Sequence, residues 1–348
     1  MKKLKLLIVI LIVITTIACT SNDNNNEPEI LGCDFPLNIV ISDILTDSAI
    51  LNWTESTNQL SVEIEYGASG FVIGSGTTLN STGSSYLIES LTSNTDYDMY
   101  IKTICVNDES EFSDVVTFTT LCETVYSGDL IFSIQSEIDN FSNCFTEIDG
   151  TLTIGASGSD ITSLLPLNNL HTIQGDLVIK SNDMLTSLNG LSNISTINSE
   201  LLIIEFNQNL ENIDDLSGLG NIFYGNIQIR ANDNLTSLRG LETLFQNQNN
   251  LNNINISGND ALISLNMESI TDCNVISINN NDSLVSLQSL ENLLSNTSMN
   301  ITNNDFLNNL CALQNLFVNG NYVEDFVSIT GNQFNPTIQN IIDGNCSQ

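Results

Sequence analysis

The chain has 348 residues and a formal net charge of −34, from 41 Asp and Glu against 7 Lys and Arg and 1 His. This length is sufficient for two or three domains with hydrophobic cores of their own. A surface this acidic repels phosphate backbones and anionic headgroups, so the composition argues against nucleic acid as a partner.

Residues 1–18 have the pattern of an export signal. Three Lys precede an apolar stretch at residues 6–14, which is too short to span a bilayer permanently. The small residues before Cys19 resemble a bacterial lipoprotein signal, which implies that Cys19 becomes the lipidated N-terminus. The alternative is an uncleaved membrane anchor, and in either case the chain is exported.

Residues 19–32 are polar and acidic, with little apolar surface to bury, and are predicted to be a flexible tether. An acidic stretch directly after a lipidated cysteine resembles the surface-export signal of Bacteroidetes lipoproteins. That resemblance implies a lipid anchor in the outer membrane and exposure at the cell surface.

Residues 33–120 contain short runs of alternating apolar and polar residues, separated by Gly, Ser, Asn and Thr. This spacing is typical of a β-sandwich. Trp53 closes the second run, and Leu91-Thr-Ser-Asn-Thr-Asp-Tyr97 precedes a later one. These residues resemble a fibronectin type III domain, which implies a spacer with Trp53 in its core and Tyr97 at a corner where the tyrosine hydroxyl bonds to backbone.

From residue 152 onward one pattern repeats: two apolar residues flanking a variable one, then Asn three positions on, then Leu after three more, as in Leu177-Val-Ile-Lys-Ser-Asn-Asp-Met-Leu185. Successive marker Asn residues are 25, 25, 27, 22, 23 and 28 positions apart, a length typical of one repeat of a solenoid. The marker residues are Asn182, Asn207, Asn232, Asn259, Asn281, Asn304 and Asn332. We expect them to form a structural ladder at the turn after each strand, because an amide can both donate and accept.

Side chains alternate along a strand, so the flanking apolar residues of each repeat are predicted to point inward. Leu comes three residues after Asn182 rather than two, and a Thr-Ser-Leu-Asn-Gly-Leu motif ending at Leu191 follows. Together with Gly175 and Gly225 opening their repeats, this resembles the receptor L domain. The resemblance covers residues 122–346 and implies a right-handed β-helix with a helical N-terminal cap and disulfide-closed ends. The apolar spacing over Leu130–Phe141 predicts the cap helix.

Besides Cys19, the chain has seven cysteines. Cys33 with Cys105 would join two strand ends at one pole of the sandwich, Cys122 and Cys144 bracket the predicted cap helix, and Cys311 and Cys346 bracket the last repeat. Spacing alone does not fix the connectivity. Cys273 is left over and is predicted to be a buried free thiol.

The sequence offers little for catalysis. His171 is the only histidine and has no nucleophile motif beside it, so we interpret it as structural. No metal site or cofactor is predicted, because close cysteine pairs, a calcium-loop series and a phosphate loop are absent from the sequence. Weak calcium binding by the turns and glycoside hydrolysis by two carboxylates remain open. However, the Asp residues after the marker Asn occupy one repeated turn position rather than a distinctive pair.

The outward face of the predicted sheet is the better functional candidate. Lys180, Glu205 and Arg230 fall on successive repeats and are expected to stack as a charge ladder. Val178 and Ile203, beside that ladder, would form an amphipathic patch with Gln228 next in the same row. The alternative is an exposed row of ion pairs that contributes little to stability.

The predicted architecture is therefore all-β: a fibronectin type III sandwich followed by a β-helix with a short helical cap. The predicted function is non-enzymatic binding or adhesion at the cell surface through the outward face, with a protein or glycan ligand and no nucleic acid. A polysaccharide-binding or polysaccharide-cleaving surface protein and a purely structural surface component are the alternatives. The sequence does not define the ligand or the oligomeric state.

Overall fold

The computed structural model describes residues 32–222, 225–247 and 251–348. The predicted signal segment, Cys19 and all of the predicted tether except its last residue lie outside the described residues, and they remain predictions. The chain forms two compact units. One contains residues 32–44, 48–90 and 96–119, and the other contains residues 120–348 with the short segments 45–47 and 91–95.

The first unit is an antiparallel sandwich of two sheets, with strand orders β1-β2-β5 and β4-β3-β6-β7. Its strands are β1 Leu37–Ser42, β2 Ala49–Thr54, β3 Ser61–Ala68, β4 Thr77–Ser81, β5 Ser85–Ile88, β6 Asp96–Ile104 and β7 Val116–Thr119. Polar residues dominate β4, whereas the four-residue β5 is mostly apolar and aromatic. Trp53 is buried in the core at 5% exposure, and the buried ring of Tyr97 stacks on Phe118 with 5.6 Å between ring centroids.

The second unit is built from two sheets whose strands are all parallel. In the five-stranded sheet the order is β16-β14-β12-β10-β8, and in the ten-stranded sheet it is β21-β20-β19-β18-β17-β15-β13-β11-β9, with β22 also paired to β20. The five-stranded sheet consists of β8 Val125–Ser127, β10 Glu147–Asp149, β12 Thr172–Ile173, β14 Thr196–Ile197 and β16 Asn221–Ile222.

The ten-stranded sheet contains one strand from each repeat along most of its length, each beside the one before it. Its strands are β9 Leu130–Phe132, β11 Leu152–Ile154, β13 Leu177–Lys180, β15 Leu201–Glu205, β17 Asn226–Arg230, β18 Leu251–Ser257, β19 Asp272–Asn279, β20 Ser295–Thr302, β21 Asn321–Tyr322 and β22 Val327–Thr330. Because neighbouring strands pair in register, equivalent residues of successive repeats line up.

Helices are few and short. The α-helices are α1 Gln135–Asp139, α2 Glu242–Asn247, α3 Gln314–Asn319 and α4 Ile338–Ile342. One-turn 3-10 helices occur at Leu165–Leu167, Asp214–Gly218, Arg239–Leu241, Gln288–Leu290, Cys311–Leu313 and Glu324–Phe326.

The prediction of a helix over all of residues 130–141 was wrong. The structure forms strand β9 at Leu130–Phe132, and α1 spans only Gln135–Asp139. Leu130 and Phe132 pair in parallel with Leu152 and Ile154, which extends the sheet by one strand at its N-terminal edge. Edge pairing with β11 outweighs the helical spacing of the apolar residues, because it also satisfies the backbone groups of β11.

The core of the second unit consists of aliphatic columns that run from repeat to repeat. The flanking apolar pair of each repeat is fully buried from Leu152 to Ile301. Two further columns, which include Leu185 and Leu188 and their equivalents in the other repeats, are buried as well. In the last repeat Val327 and Ile329 are only half-buried.

Candidate functional site

Beneath the sheet surface lies a buried column of the marker asparagines, which fixes the positions of the strand ends. The backbone N–H and side-chain Nδ2 of Asn182 both donate to Oδ1 of Asn207, at 3.1 and 3.0 Å, and Nδ2 also donates to the Ile154 carbonyl at 3.0 Å. The same three bonds recur at Asn207, Asn232, Asn259, Asn281 and Asn304. Six of these residues are fully buried, and Asn332 is nearly so.

Both ends of the asparagine column are closed by residues outside the repeat. The Ser159 hydroxyl donates to Oδ1 of Asn182 at 3.0 Å. At the other end Asn335 lies only three residues beyond Asn332, yet its Oδ1 accepts from the Asn332 N–H at 2.9 Å. Every buried amide of the column therefore has an acceptor.

The outward face of the ten-stranded sheet is the candidate site. Side chains alternate along each strand, so the residue between the two inward residues, and the residues on either side of that pair, point to the outward face. The register aligns three rows of outward residues. The first is Thr153, Val178, Ile203, Gln228, Asn255, Ser277, Asn300 and Ser328; the second is Lys180, Glu205, Arg230, Ser257, Asn279, Thr302 and Thr330; the third is Leu201, Asn226, Asn253, Val275 and Ser298.

Apolar side chains occupy the N-terminal part of this face. Val178 and Ile203 are half-buried neighbours across β13 and β15, and Leu201 is half-buried on β15. Strand β9 adds a further apolar residue, Ile131, which pairs with Thr153 and is 61% exposed. We call Ile131, Val178, Leu201 and Ile203 the apolar patch.

The charged residues beside the patch form one ion pair rather than a continuous ladder. Lys180, Glu205 and Arg230 stand opposite one another in register. An Nη2 atom of Arg230 lies 2.5 Å from Oε2 of Glu205, whose side chain is 14% exposed. Among the described residues Lys180 makes no ion pair, so its charge is left available at the surface.

Phe206, in the turn directly after β15, is an exposed aromatic residue that the sequence analysis missed. It follows Glu205 directly, is 54% exposed, and has a left-handed backbone with φ of +55°. The residue before each buried asparagine has positive φ, and the equivalent residues include Ser181, Ala231 and Gly258. A bulky residue in this conformation is strained by about 1–2 kcal/mol. Because this backbone conformation recurs in every repeat, it belongs to the turn before the buried asparagine, and what distinguishes Phe206 is its exposed aromatic ring.

The C-terminal part of the outward face has a different chemistry. From β18 to β22 the three rows present amides and hydroxyls with Val275 as the one apolar exception, and they contain no charged residue. The Thr302 hydroxyl lies 2.7 Å from the side-chain amide of Asn279 on the neighbouring strand, within hydrogen-bond distance. In these rows the face is an uncharged, hydrogen-bonding surface.

The repeated turn acids line up outside the sheet but do not form a metal centre. Burial raises the pKa of the Asp282 carboxyl above its ordinary value, and the neighbouring carboxylates of Asp305 and Asp260 raise it further. In the described part of the chain, no group of three or more His, Cys, Asp or Glu side chains has an arrangement that could hold a metal ion.

The remaining singled-out residues have structural positions. Disulfides join Cys33 to Cys105, Cys122 to Cys144 and Cys311 to Cys346. Cys273 is a buried free thiol whose Sγ lies 3.2 Å from the Val275 carbonyl, and burial raises its pKa to about 12. A thiol with so high a pKa is inert at neutral pH.

The His171 ring is exposed, with Nδ1 lying 2.7 Å from the Asn169 carbonyl. None of the helices in the described ranges has the length and apolar character needed to cross a bilayer.

Comparison with known proteins identifies two domain types. The model of the fibronectin type III domain matches residues 34–119, and the model of the receptor L domain matches residues 121–219. No curated protein matches the chain.

Several solved structures resemble parts of the chain. A myokine structure is 17% identical and covers 26% of this chain and 99% of its own, with a TM-score of 0.24. The FN1–FN3 domains of chicken CNTN1 are 14% identical, covering 26% of this chain and 31% of theirs, with a TM-score of 0.25. The fn3 domain of the human collagen alpha-1(XX) chain is 24% identical, covering 27% and 90%, with a TM-score of 0.24. By its matches to the two family models, this chain carries a fibronectin type III domain followed by a receptor L domain.

Proposed function

We propose that this protein is a non-enzymatic recognition protein that binds a protein partner through the N-terminal part of its outward face. Fibronectin type III and receptor L domains are typically binding or adhesion modules, which supports a binding role. The observation that carries the proposal is Phe206, an exposed aromatic residue that directly follows Glu205 of the Arg230–Glu205 pair, at a turn position where other repeats have small residues such as Ser181 and Ala231.

The composition of this surface favours a protein ligand. Aromatic residues and Arg are enriched at interface hot spots, and apolar side chains surrounded by polar ones are typical of the centre of an interface. Arg230 pairs with Glu205, two residues beyond Ile203 of the apolar patch, and the Phe206 N–H donates to the Arg230 carbonyl. Because the whole chain is strongly acidic, a partner with a basic rim would associate fastest.

A polysaccharide ligand is the second candidate, and a separate observation favours it. The uncharged amide and hydroxyl rows of β18–β22 could hydrogen-bond a neutral glycan without repelling it. The same rows hold no carboxylate, so the proposal includes glycan binding but not glycan cleavage at this surface.

We further propose that the parallel stack is a right-handed β-helix that continues to residue 346, and that the sandwich before it acts as a spacer. A lipid on Cys19 would hold the protein at the outer membrane with both domains outside the cell. Proteinase treatment of intact cells should then remove the protein, and Cys19→Ala should release it from the membrane fraction. Protection from proteinase would place it on the periplasmic side instead.

The binding proposal is tested with two matched double variants of the full chain. Val178→Asp with Ile203→Asp places two carboxylates in the apolar patch, whereas Ser277→Asp with Asn300→Asp places two carboxylates in the same outward row at the other end of the sheet. Capture of partners from cell-surface extracts and binding to a glycan array are compared with the wild type. Loss of a captured protein only in the first variant supports the proposal.

Loss in the second variant alone would move the site to the polar rows, and loss in both would assign binding to general electrostatics. Either result rejects the apolar patch as the binding site. Thermal unfolding of both variants serves as the control for folding.

A further inference from the structure

The C-terminal edge of the ten-stranded sheet shows a second feature, separate from the outward face. In the repeats from Leu152 to Ile301 the inward apolar pair is fully buried, but Val327 and Ile329 of β22 are only half-buried. Phe326, directly before β22, is 59% exposed. The last repeat therefore has part of its inward surface uncovered by α4 and the C-terminal segment.

The backbone of β22 is also incompletely paired. Among the described residues β22 pairs only with β20. Consecutive residues of a strand direct their N–H and C=O groups to opposite edges. The Thr330 carbonyl accepts from the Asn303 N–H, so Ser328 and Thr330 face β20.

The Ile329 N–H and C=O and the Val327 C=O therefore face the open edge, whereas the Val327 N–H donates to the Glu324 carbonyl in the 3-10 turn before β22. In earlier repeats the carbonyl equivalent to that of Ile329 accepts from the next buried asparagine, as the Ile301 carbonyl accepts from Asn332. Asn335 replaces the acceptor at the end of the column, but among the described residues no further asparagine replaces the donor to the Ile329 carbonyl.

A cavity of about 300 Å³ lies along this edge, between residues 327–330 and residues 335–338. One wall is therefore the open strand, with alternating apolar side chains and unpaired peptide groups. These are the properties that bind an extended peptide by strand addition.

Charge distinguishes between the strands that could fill the cavity. Residues 240–348 contain no Lys, Arg or His, and Glu324 and Asp325 immediately precede β22. A second copy of the chain would stack its β9 edge here, but residues 103–170 also contain no Lys, Arg or His. Stacking two copies would bring acid against acid, whereas a peptide with basic residues before its strand is attracted.

We propose that the open edge of β22 is a second binding site, which takes an extended partner peptide as a parallel strand with alternating β-branched residues and a basic N-terminal flank. The flank lies beside Glu324 and Asp325, and the two apolar residues of the peptide cover Val327 and Ile329. The peptide residues between them return their N–H and C=O groups to β22.

The test uses the full chain and three synthetic peptides: KKVTITG, EEVTITG and KKVPIPG. KKVTITG should bind. EEVTITG should bind at least about tenfold more weakly because its Glu residues repel Glu324 and Asp325, and KKVPIPG at least about tenfold more weakly because proline removes the backbone donors. Hydrogen exchange on the wild-type protein should show new protection of the Ile329 amide when KKVTITG is bound, with Val327, Ser328 and Thr330 unchanged because their N–H groups already have partners or face β20.

Ile329→Pro should weaken KKVTITG binding at least about tenfold, since proline removes a donor at the open edge without removing a bond to β20. Ser328→Ala, on the outward side, is the matched control and should keep the affinity. Equal binding of all three peptides, or no new protection at Ile329, would overturn the proposal. Concentration-dependent self-association that Ile329→Pro abolishes would also overturn it, in favour of a second copy.

Discussion

The buried asparagine column is nearly identical from repeat to repeat, whereas the outward rows of the same sheet change in residue type along the stack. Asn182 and its six equivalents make nearly identical hydrogen bonds in every repeat, and even the ends of the column are closed by Ser159 and Asn335. The outward rows change from aliphatic and charged residues at β13–β17 to amides and hydroxyls at β18–β22. Within this chain, uniformity marks what holds the stack together, and variation marks what the stack presents to a ligand.

The largest effect is expected from breaking the uniform part. Asn232→Ala removes the donor to the Ile204 carbonyl and the Oδ1 acceptor of two Asn207 donors, all of them buried. Each buried polar group left unpaired costs about 1–3 kcal/mol, so we expect a loss of about 3–5 kcal/mol in the free energy of unfolding. Urea-induced unfolding measures this loss.

Asn234→Ala is the control, because Asn234 is exposed in the same turn and its loss should cost no more than about 0.5 kcal/mol. Similar losses for the two variants would show that the buried column has no special role.

A smaller effect is expected at the end of the column. Asn335→Ala removes one acceptor from the Asn332 N–H and Nδ2, in a position that is partly open to water. The expected loss is about 1–2 kcal/mol in the free energy of unfolding, less than at Asn232 because water can replace the bond. A loss as large as that of Asn232→Ala would mean that the end of the column governs the whole stack.

Substitution of Phe206, in the turn after the outward residue Glu205, should stabilise the protein rather than destabilise it. Phe206→Gly relieves a left-handed backbone at an exposed position, and we expect the free energy of unfolding to rise by about 0.5–1 kcal/mol. The same variant should bind the protein partner more weakly. Gly258, already glycine in the equivalent position, shows that the fold accepts this residue. A destabilised variant would show that the ring packs as part of the structure.

The smallest effect concerns the acidic turns. The pKa of Asp282 is raised in the folded state, by burial first and then by Asp305 and Asp260, so its ionised form opposes folding. That penalty is present above the raised pKa and disappears as the pH falls below the unfolded pKa of about 3.9. Asp282→Asn should therefore raise Tm slightly at pH 7 and leave it unchanged near pH 3. A lower Tm at pH 7 would contradict this assignment.

Much of the second unit could be predicted from sequence because its strands repeat with one spacing. The alternation at Leu177 and Ile179 is sufficient to place them inward, and the turn position of Asn182 to place it in a column. The five-stranded sheet was missed because strands as short as Thr172–Ile173 show no alternation. Asn335 was missed because it closes the column from outside the repeat.

Other parts of the site depend on three-dimensional neighbours. Leu130 and Phe132 match a helical spacing as well as a strand, and only the adjacent β11 decides between them. The sequence aligned Lys180 with Glu205 but could not show that Glu205 pairs with Arg230 alone. Phe206 was overlooked because its position, directly before the marker Asn, lies outside the outward rows that the alternation defines, although an aromatic residue distinguishes it from Ser181 and Ala231 at the equivalent positions.

The most direct test of the division between the two sides of the sheet compares adjacent residues of β15 in urea-induced unfolding. Ile204 is fully buried and Ile203 is half-buried on the outward face. Ile204→Asp should abolish the cooperative transition or cost more than about 4 kcal/mol, because an unpaired charge is buried. Ile203→Asp should remain within about 1 kcal/mol of the wild type. Equal losses, or a larger loss at Ile203, would contradict the assignment of one side to structure and the other to recognition.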